Sequence, residues 1–302
     1  MALKDIKAKI GATKRMHTVT RAMEAVSAVK MRKTQASALS GRSYARAAVA
    51  ILTRIAGTEE VKKHPLAQER EVKKIALVVM TSDKGLAGAL NSGVLKQAAL
   101  AVKEYRADQV VVYAFGRKGE DYFTNRGYTV AKAYENKRDD IPLSDMETLA
   151  DDLSAGFLAG SFDKVVVAYT SFKSTFEQIP LQHRLLPLSL PALSEIVEGI
   201  VPAKGKWSTE QKLVAPAAYE VEPSADEVLG VLIPRLTAIA LYHMLLESKA
   251  SEHSARMVAM KNASDKSKEV TRDLTRMYNK VRQAAITREV SEIVSGREAL
   301  AA

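Results

Sequence analysis

The chain has no cysteine, which excludes disulfides, a thiolate zinc site, and a thiol nucleophile or redox pair. Its longest aliphatic run, Ile75 to Met80, falls far short of the ~20 residues a spanning helix requires, so the sequence reads as soluble or peripheral. Proline is missing from both ends: all nine prolines fall between Pro65 and Pro234. Glycine is missing from 231–295, and aromatic rings from residues 1–43. Acidic residues are scarce at the start. Residues 1–56 hold 12 Lys/Arg against 2 Asp/Glu, whereas 57–223 hold 21 against 23 and 224–302 hold 12 against 10. The +10 net charge therefore sits in the N-terminal segment and implies a partner of opposite sign. That basic start has neither the apolar core nor the small-residue cleavage site of a secretory leader, so no processing is expected.

Proline costs ~3 kcal/mol and glycine ~1 kcal/mol inside a helix, so their scarcity over Ala-, Lys-, Arg- and Met-rich ends predicts two long helices around a globular middle. The expected divisions are 1–57, ending at Gly57, then 58–223, then 224–302. Met16, Val19, Met23 and Val26 recur at helical spacing, as do Leu274, Tyr278, Val281 and Ala285, with Ile286, Val290 and Ile293 continuing the surface. The two stripes are expected to cover each other in an antiparallel coiled coil. Helices of these lengths, ~84 and ~105 Å at 1.5 Å per residue, exceed a compact domain. Ala, Ser, Thr and His at many seam positions predict close but modestly stable packing. Ser224 to Glu227 reads as a capping box, and Pro234 predicts a kink or a short separate helix.

The middle alternates short apolar runs (75–80, 110–115, 165–169) with helical stretches near 93–106, 118–126 and 144–158. That order predicts an α/β fold, a small Rossmann-like three-layer unit, with Thr175–Leu188 as an antiparallel edge strand.

Chemical motifs are weak. The glycines of Thr81–Asn91 follow a strand and precede a helix, but match neither G-x-G-x-x-G nor G-x-x-x-x-G-K-[ST], and Lys84 precedes them. Tight turning against another chain is the preferred reading, with no cofactor. His17, His64, His183, His243 and His253 form no close metal-type pair, no serine sits in a nucleophile elbow, and Asp139-Asp140 and Asp151-Asp152 read as solvated charge. Lys4, Lys7, Lys14, Arg15, Arg21, Lys30, Arg32 and Lys33 suit phosphates, but no ring is interleaved to stack on bases. A basic coiled-coil nucleic-acid binder is the alternative reading; an acidic protein collar is preferred.

Three blocks carry a family resemblance: Ile10–Gln35; Ser82–Asn91; and Glu247–Asp265, including Ser251-Glu-His-Ser-Ala-Arg256-Met-Val-Ala-Met-Lys-Asn262, continued by Tyr278–Gly296. In content, order and separation the chain resembles the gamma subunit of F-type ATP synthases. The resemblance implies a non-catalytic rotor shaft, with its terminal helices inside a hexamer of alpha and beta subunits. It also implies contact with an epsilon subunit and a membrane c-ring, one copy per complex, and a place at the cytoplasmic face of a bacterial inner membrane. It implies rotor–stator coupling at Met23, Arg256, Arg282, Gln283, Thr287 and Glu292, with Met23 near Gln283, Thr287 and Glu292. It implies that Asp83, Lys84 and Ala87 face an acidic beta-subunit loop, and that Tyr219 and Glu222 lie near the ring. Ala87 stands where many relatives carry cysteine.

Overall fold

A computed structural model describes residues 3–40, 64–138, 142–188 and 225–301. Gly57, Asp139-Asp140, Tyr219, Glu222 and the cap residue Ser224 lie outside the described residues. The elements in chain order are α1 (Leu3–Ser40), β1 (Ile75–Met80), α2 (Leu90–Ala101), β2 (Val110–Phe115), α3 (Arg117–Thr124), β3 (Thr129–Tyr134), α4 (Leu143–Leu158), β4 (Lys164–Phe172), β5 (Gln178–Leu186) and α5 (Ala225–Ala301). Two compact units divide inside the long helices: residues 28–255 form one, and 1–27 with 256–302 the other.

In the first unit the strands form one sheet in the order β3-β2-β1-β4-β5. β1 pairs in parallel with β2 and β4, β2 pairs in parallel with β3, and β5 closes the edge antiparallel to β4. The apolar runs at 75–80, 110–115 and 165–169 are buried strands because both faces are covered. Ile75, Leu77 and Val79 pack with Val94 and Ala98 of α2 and Phe123 of α3. Ala76, Val78 and Met80 point the other way, to Met146, Leu149 and Leu153 of α4 and Leu241, Met244 and Leu245 of α5. The chain steps outward from β1 to β3 and then back across to β4. With right-handed crossovers that reversal requires α2 and α3 on one face and α4 on the other. The switch point lies between β1 and β4, where open α/β sheets form their crevice.

The sequence reading missed β3. Thr129–Tyr134 has only exposed and half-buried positions, so it lacks the apolar run that marks the central strands. Pro234 neither ends nor splits α5, which is one helix of 77 residues. Its flanks explain this: Ile233, Leu236, Ala238, Ala240 and Leu241 are all buried in the core against the sheet, and that burial outweighs one lost backbone hydrogen bond. An 18-residue stretch of α5 is apolar enough to pass for a membrane span by composition, but 61% of it is buried within the protein.

Candidate functional site

The second unit is an antiparallel pair made by the start of α1 and the end of α5. Thr271 Oγ1 donates to Thr13 Oγ1 (3.0 Å), and His17 Nδ1 lies 3.1 Å from the Ser264 carbonyl oxygen. Along α1 the covered positions fall at alternating steps of three and four: Ile6, Thr13, Thr20, Ser27 and Thr34 with Ile10, His17 and Met31 between. Four of the first five are hydroxyl residues. The predicted stripe lies one position off this seam and is not the buried surface: Met16, Val19 and Val26 are 57%, 57% and 55% exposed. On α5 the predicted stripe does lie at the seam, since Leu274, Tyr278, Val281 and Ala285 are half-buried and continue the spacing of buried Met260, Ser264 and Ser267. Hydroxyls line the seam without leaving polar atoms unpaired because they bond back to their own helix. Thr20 Oγ1 donates to Met16 O (2.9 Å), Thr34 to Lys30 O (3.0 Å) and Ser267 to Ala263 O (2.7 Å).

That register corrects one expectation. With Thr13 opposite Thr271 and His17 opposite Ser264, Met23 lies level with about residue 259 of α5, some ~36 Å along the helix from Gln283. Met23 is therefore near the level of Arg256 and remote from Gln283, Thr287 and Glu292. The same register brings Leu3 level with about Val281, so α5 runs on past the start of α1 for about 20 residues, ~30 Å. Arg282, Gln283, Thr287 and Glu292 are exposed, as are Ile286 (51%), Val290 (54%), Ile293 (72%) and Val294 (50%). Arg256 is buried, at 8% exposure.

The loop after β1 is rigidly built. Thr81 Oγ1 donates to Phe115 O (3.0 Å) and accepts from Gly119 N (2.8 Å). Ser82 Oγ donates to Lys84 O (2.7 Å), and Ser82 N donates to Asn91 Oδ1 (3.0 Å). Asp83 spans two neighbouring loops: Oδ1 accepts from Arg117 N (2.8 Å) at the start of α3, and Oδ2 from Asn136 N (2.8 Å) beyond β3. Gly116 is obligatory, since its φ is +86° and a Cβ there would sit 2.1 Å from the Thr81 carbonyl oxygen. Lys84, Gly85 and Leu86 are exposed, with Leu86 at a left-handed φ of 63°. Ala87 departs from expectation: it is 2% exposed and turned inward, so Leu86 at 62% is the apolar side chain this loop offers.

The sequence reading also missed the polar stretch of α5 that crosses the carboxyl ends of the strands. Ser248 Oγ accepts from Thr170 N (3.1 Å), Ser251 Oγ donates to Thr170 O (3.4 Å) and Ser254 Oγ donates to Thr175 O (2.7 Å). Lys249, 1% exposed, donates from Nζ to the Asn136 carbonyl. The available signal was the i, i+3, i+6 spacing of Ser248, Ser251 and Ser254. His243 Nε2 lies 3.1 Å from Glu247 Oε1, both nearly buried. Tyr169 sits near that carboxylate; burial, with the charge of Glu247 adding to it, pushes its phenol far above the usual tyrosine range. Among the described residues no His, Asp or Glu cluster has the makings of a metal site.

The family model described as ATP synthase matches residues 2–300. The chain is 36% identical over 301 residues to the ATP synthase gamma chain of Staphylococcus saprophyticus, covering 99% of each chain. It is 41% identical over 303 residues to that of Roseiflexus castenholzii, covering 99% of this chain and 98% of the relative. Among solved structures it is similar to a chain in the central stalk and c-ring of the Tetrahymena thermophila mitochondrial ATP synthase, at 25% identity and a TM-score of 0.60, covering 82% of this chain and 99% of that one. A chain in the Euglena gracilis mitochondrial F1 and c-ring assembly, 16% identical, shares the fold at a TM-score of 0.65, covering 99% and 94%.

Proposed function

The chain belongs to the ATP synthase gamma-chain family, and from that premise we propose that it turns as the central shaft inside a hexamer of alpha and beta subunits. It is a rotor subunit without a catalytic site of its own. The observation that carries the shaft reading is the apolar surface the helix pair leaves uncovered: Met16, Val19, Val26 and Val29 (67%) on α1, and Ile286, Val290 and Ile293 on α5. A helix pair that buries a hydroxyl seam and exposes valine, isoleucine and methionine is shaped for an outer partner. The basic excess of 1–56 gives that partner's sign, acidic, and screened exposed charges make contacts weak enough to slide.

Under this reading Met23 and Arg256 act at one level of the shaft, and Arg282, Gln283, Thr287 and Glu292 at another, on the single-helix extension. Asp83 and Lys84 present the loop after β1 to an acidic beta-subunit segment, with Leu86 taking the place expected of Ala87. Tyr219 and Glu222 meet the c-ring, and an epsilon subunit joins the same foot. One copy serves each complex, at the cytoplasmic face of a bacterial inner membrane. Because the shaft is asymmetric, each beta subunit meets a different surface and is biased toward a different open or closed state. The relatives lend no support to the nucleic-acid alternative.

The test is reconstitution with alpha and beta subunits. ATP hydrolysis that depends on this chain, with one chain per hexamer by native mass, is the expected result; hydrolysis indifferent to the chain overturns the reading.

A further inference from the structure

Lys249 is a lysine with 1% of its surface exposed, on the polar stretch of α5 that follows its apolar contact with the sheet. Taking an ammonium out of water is costly, and a buried charge is weak evidence of a contribution to stability. What its placement does is connect. Its Nζ donates to the Asn136 carbonyl. Asn136 is itself 5% exposed, donates from Nδ2 to Thr81 O (2.6 Å) and from its backbone N to Asp83 Oδ2 (2.8 Å), and Asp83 continues to Arg117 N (2.8 Å). One hydrogen-bonded path therefore runs from α5 through the segment beyond β3 to the loop after β1 and the start of α3. Ser248 and Ser251, on either side of Lys249, fasten the same turn of α5 to Thr170 at the end of β4.

We propose that Lys249 is a positioning residue that locks the loop Thr81–Gly88 to helix α5 through Asn136, so that turning the helix carries the loop without slack. This rests on the reading of α5 as the shaft and of the loop as a face offered to the stator. The exposed stretch of the loop runs from Lys84 to Leu86, and its two inner anchors, Thr81 and Asp83, both bond to Asn136. The path is made of charge-assisted or buried hydrogen bonds and is held in a helix at each end, by α5 at Lys249 and by the start of α3 at Arg117, which limits its play.

Variants at two positions and two measurements test it. In the full chain, Lys249→Met keeps length and apolar bulk while removing the donor. Amide hydrogen exchange of residues 81–88 and of Asn136 rises tenfold or more, exchange in Ile75–Met80 stays unchanged, and Lys249→Arg restores most of the protection. Asn136→Ala, which keeps the backbone acceptor but cuts the link to Thr81, produces the same pattern, and the double variant is no worse than either single one. Unchanged exchange in the loop for both variants, or strictly additive effects, overturns the proposal. In the reconstituted complex carrying Lys249→Met, ATP hydrolysis stays within twofold of the unaltered complex while proton-driven ATP synthesis falls at least threefold. Equal loss of both, or loss of neither, also overturns it. If the unaltered chain supports no hydrolysis at all, the shaft reading fails, whereas the exchange result on the free chain still decides the lock.

Discussion

His17 Nδ1 lies 3.1 Å from the Ser264 carbonyl oxygen and 3.0 Å from its Oγ, which fixes the two long helices against each other by a polar contact inside the seam. A carbonyl only accepts, so a hydrogen bond to it requires the proton on Nδ1, and the imidazole meets the serine hydroxyl from the same side. Around that contact the seam residues satisfy their hydroxyls within their own helix. Register is set by a few specific contacts, while most of the surface is smooth.

The seam gives the first prediction. Thr20 bonds only back to its own helix, to Met16 O and His17 O, so Thr20→Val strands no partner and adds a methyl group to buried surface. The free chain becomes neutral to about 1 kcal/mol more stable. Val26→Ser, at an exposed position, changes the stability of the free chain by no more than about 0.5 kcal/mol. Urea denaturation checks both. If the apolar stripe were the seam, the order would reverse and Val26→Ser would be the damaging change.

Backbone geometry at the strand ends gives the second. Gly116→Ala must hold a left-handed φ and push a methyl group to within 2.1 Å of the Thr81 carbonyl, against backbone that cannot swing aside. A loss of about 3 kcal/mol or more is expected, or failure to fold. Gly88→Ala meets open space at φ +59°, so only the backbone strain remains, about 1 kcal/mol. Denaturation midpoints of the two variants should differ by a wide margin; similar losses would show that the close approach of Gly116 to Thr81 does not govern stability.

The central sheet was legible because both its faces are covered, so Ile75–Met80, Val110–Phe115 and Val165–Tyr169 read as unbroken apolar runs. β3 was not, since an edge strand with exposed Lys132 and half-buried Tyr134 carries no such run. The helices were legible from missing proline and glycine, but the buried face of α1 was not. Hydrophobic periodicity picked Met16, Val19, Met23 and Val26, whereas the pair covers Thr13 and Thr20, whose hydroxyls cost little when bonded to the preceding turn. The link from Lys249 to Asn136 spans 113 positions along the chain and joins residue types that carry no motif, so only the folded arrangement displays it.

Side-chain direction in the loop after β1 gives the third prediction. Leu86 is 62% exposed and Ala87 2%. In the otherwise cysteine-free chain, Leu86→Cys reacts with a maleimide at the rate of an open thiol, and Ala87→Cys at least tenfold more slowly. Binding of alpha and beta subunits then protects Leu86→Cys if this loop meets the stator. Rapid labelling of Ala87→Cys would mean that the loop opens readily in solution and that Ala87 is available to a partner after all.

The last prediction concerns pH. Asp163 Oδ2 accepts from the backbone nitrogens of Lys73 (2.9 Å) and Lys74 (3.0 Å), and Oδ1 lies 3.0 Å from Arg70 Nε. Arg70 in turn donates to the carbonyls of Phe157 (2.5 Å) and Phe162 (2.8 Å) and stacks over the Phe157 ring, which ties the end of α4 to the segment that precedes β1. Burial opposes ionisation of Asp163, but the two amides and the guanidinium outweigh it and hold the carboxyl below its ordinary value. A carboxyl lowered in the folded state contributes stability that is present above its unfolded value of about 3.9 and disappears as pH falls through the lower folded value. Asp163→Asn keeps the size but loses the charge, so at pH 7 the variant is less stable by about 1–3 kcal/mol. As pH drops below about 4 the protonated wild-type side chain comes to resemble the amide and the difference shrinks toward zero. Urea midpoints for both chains at pH 7, 5 and 3 measure it directly. A gap that stayed constant down to pH 3 would show that shape at this position, not charge, joins Arg70 to the segment before β1.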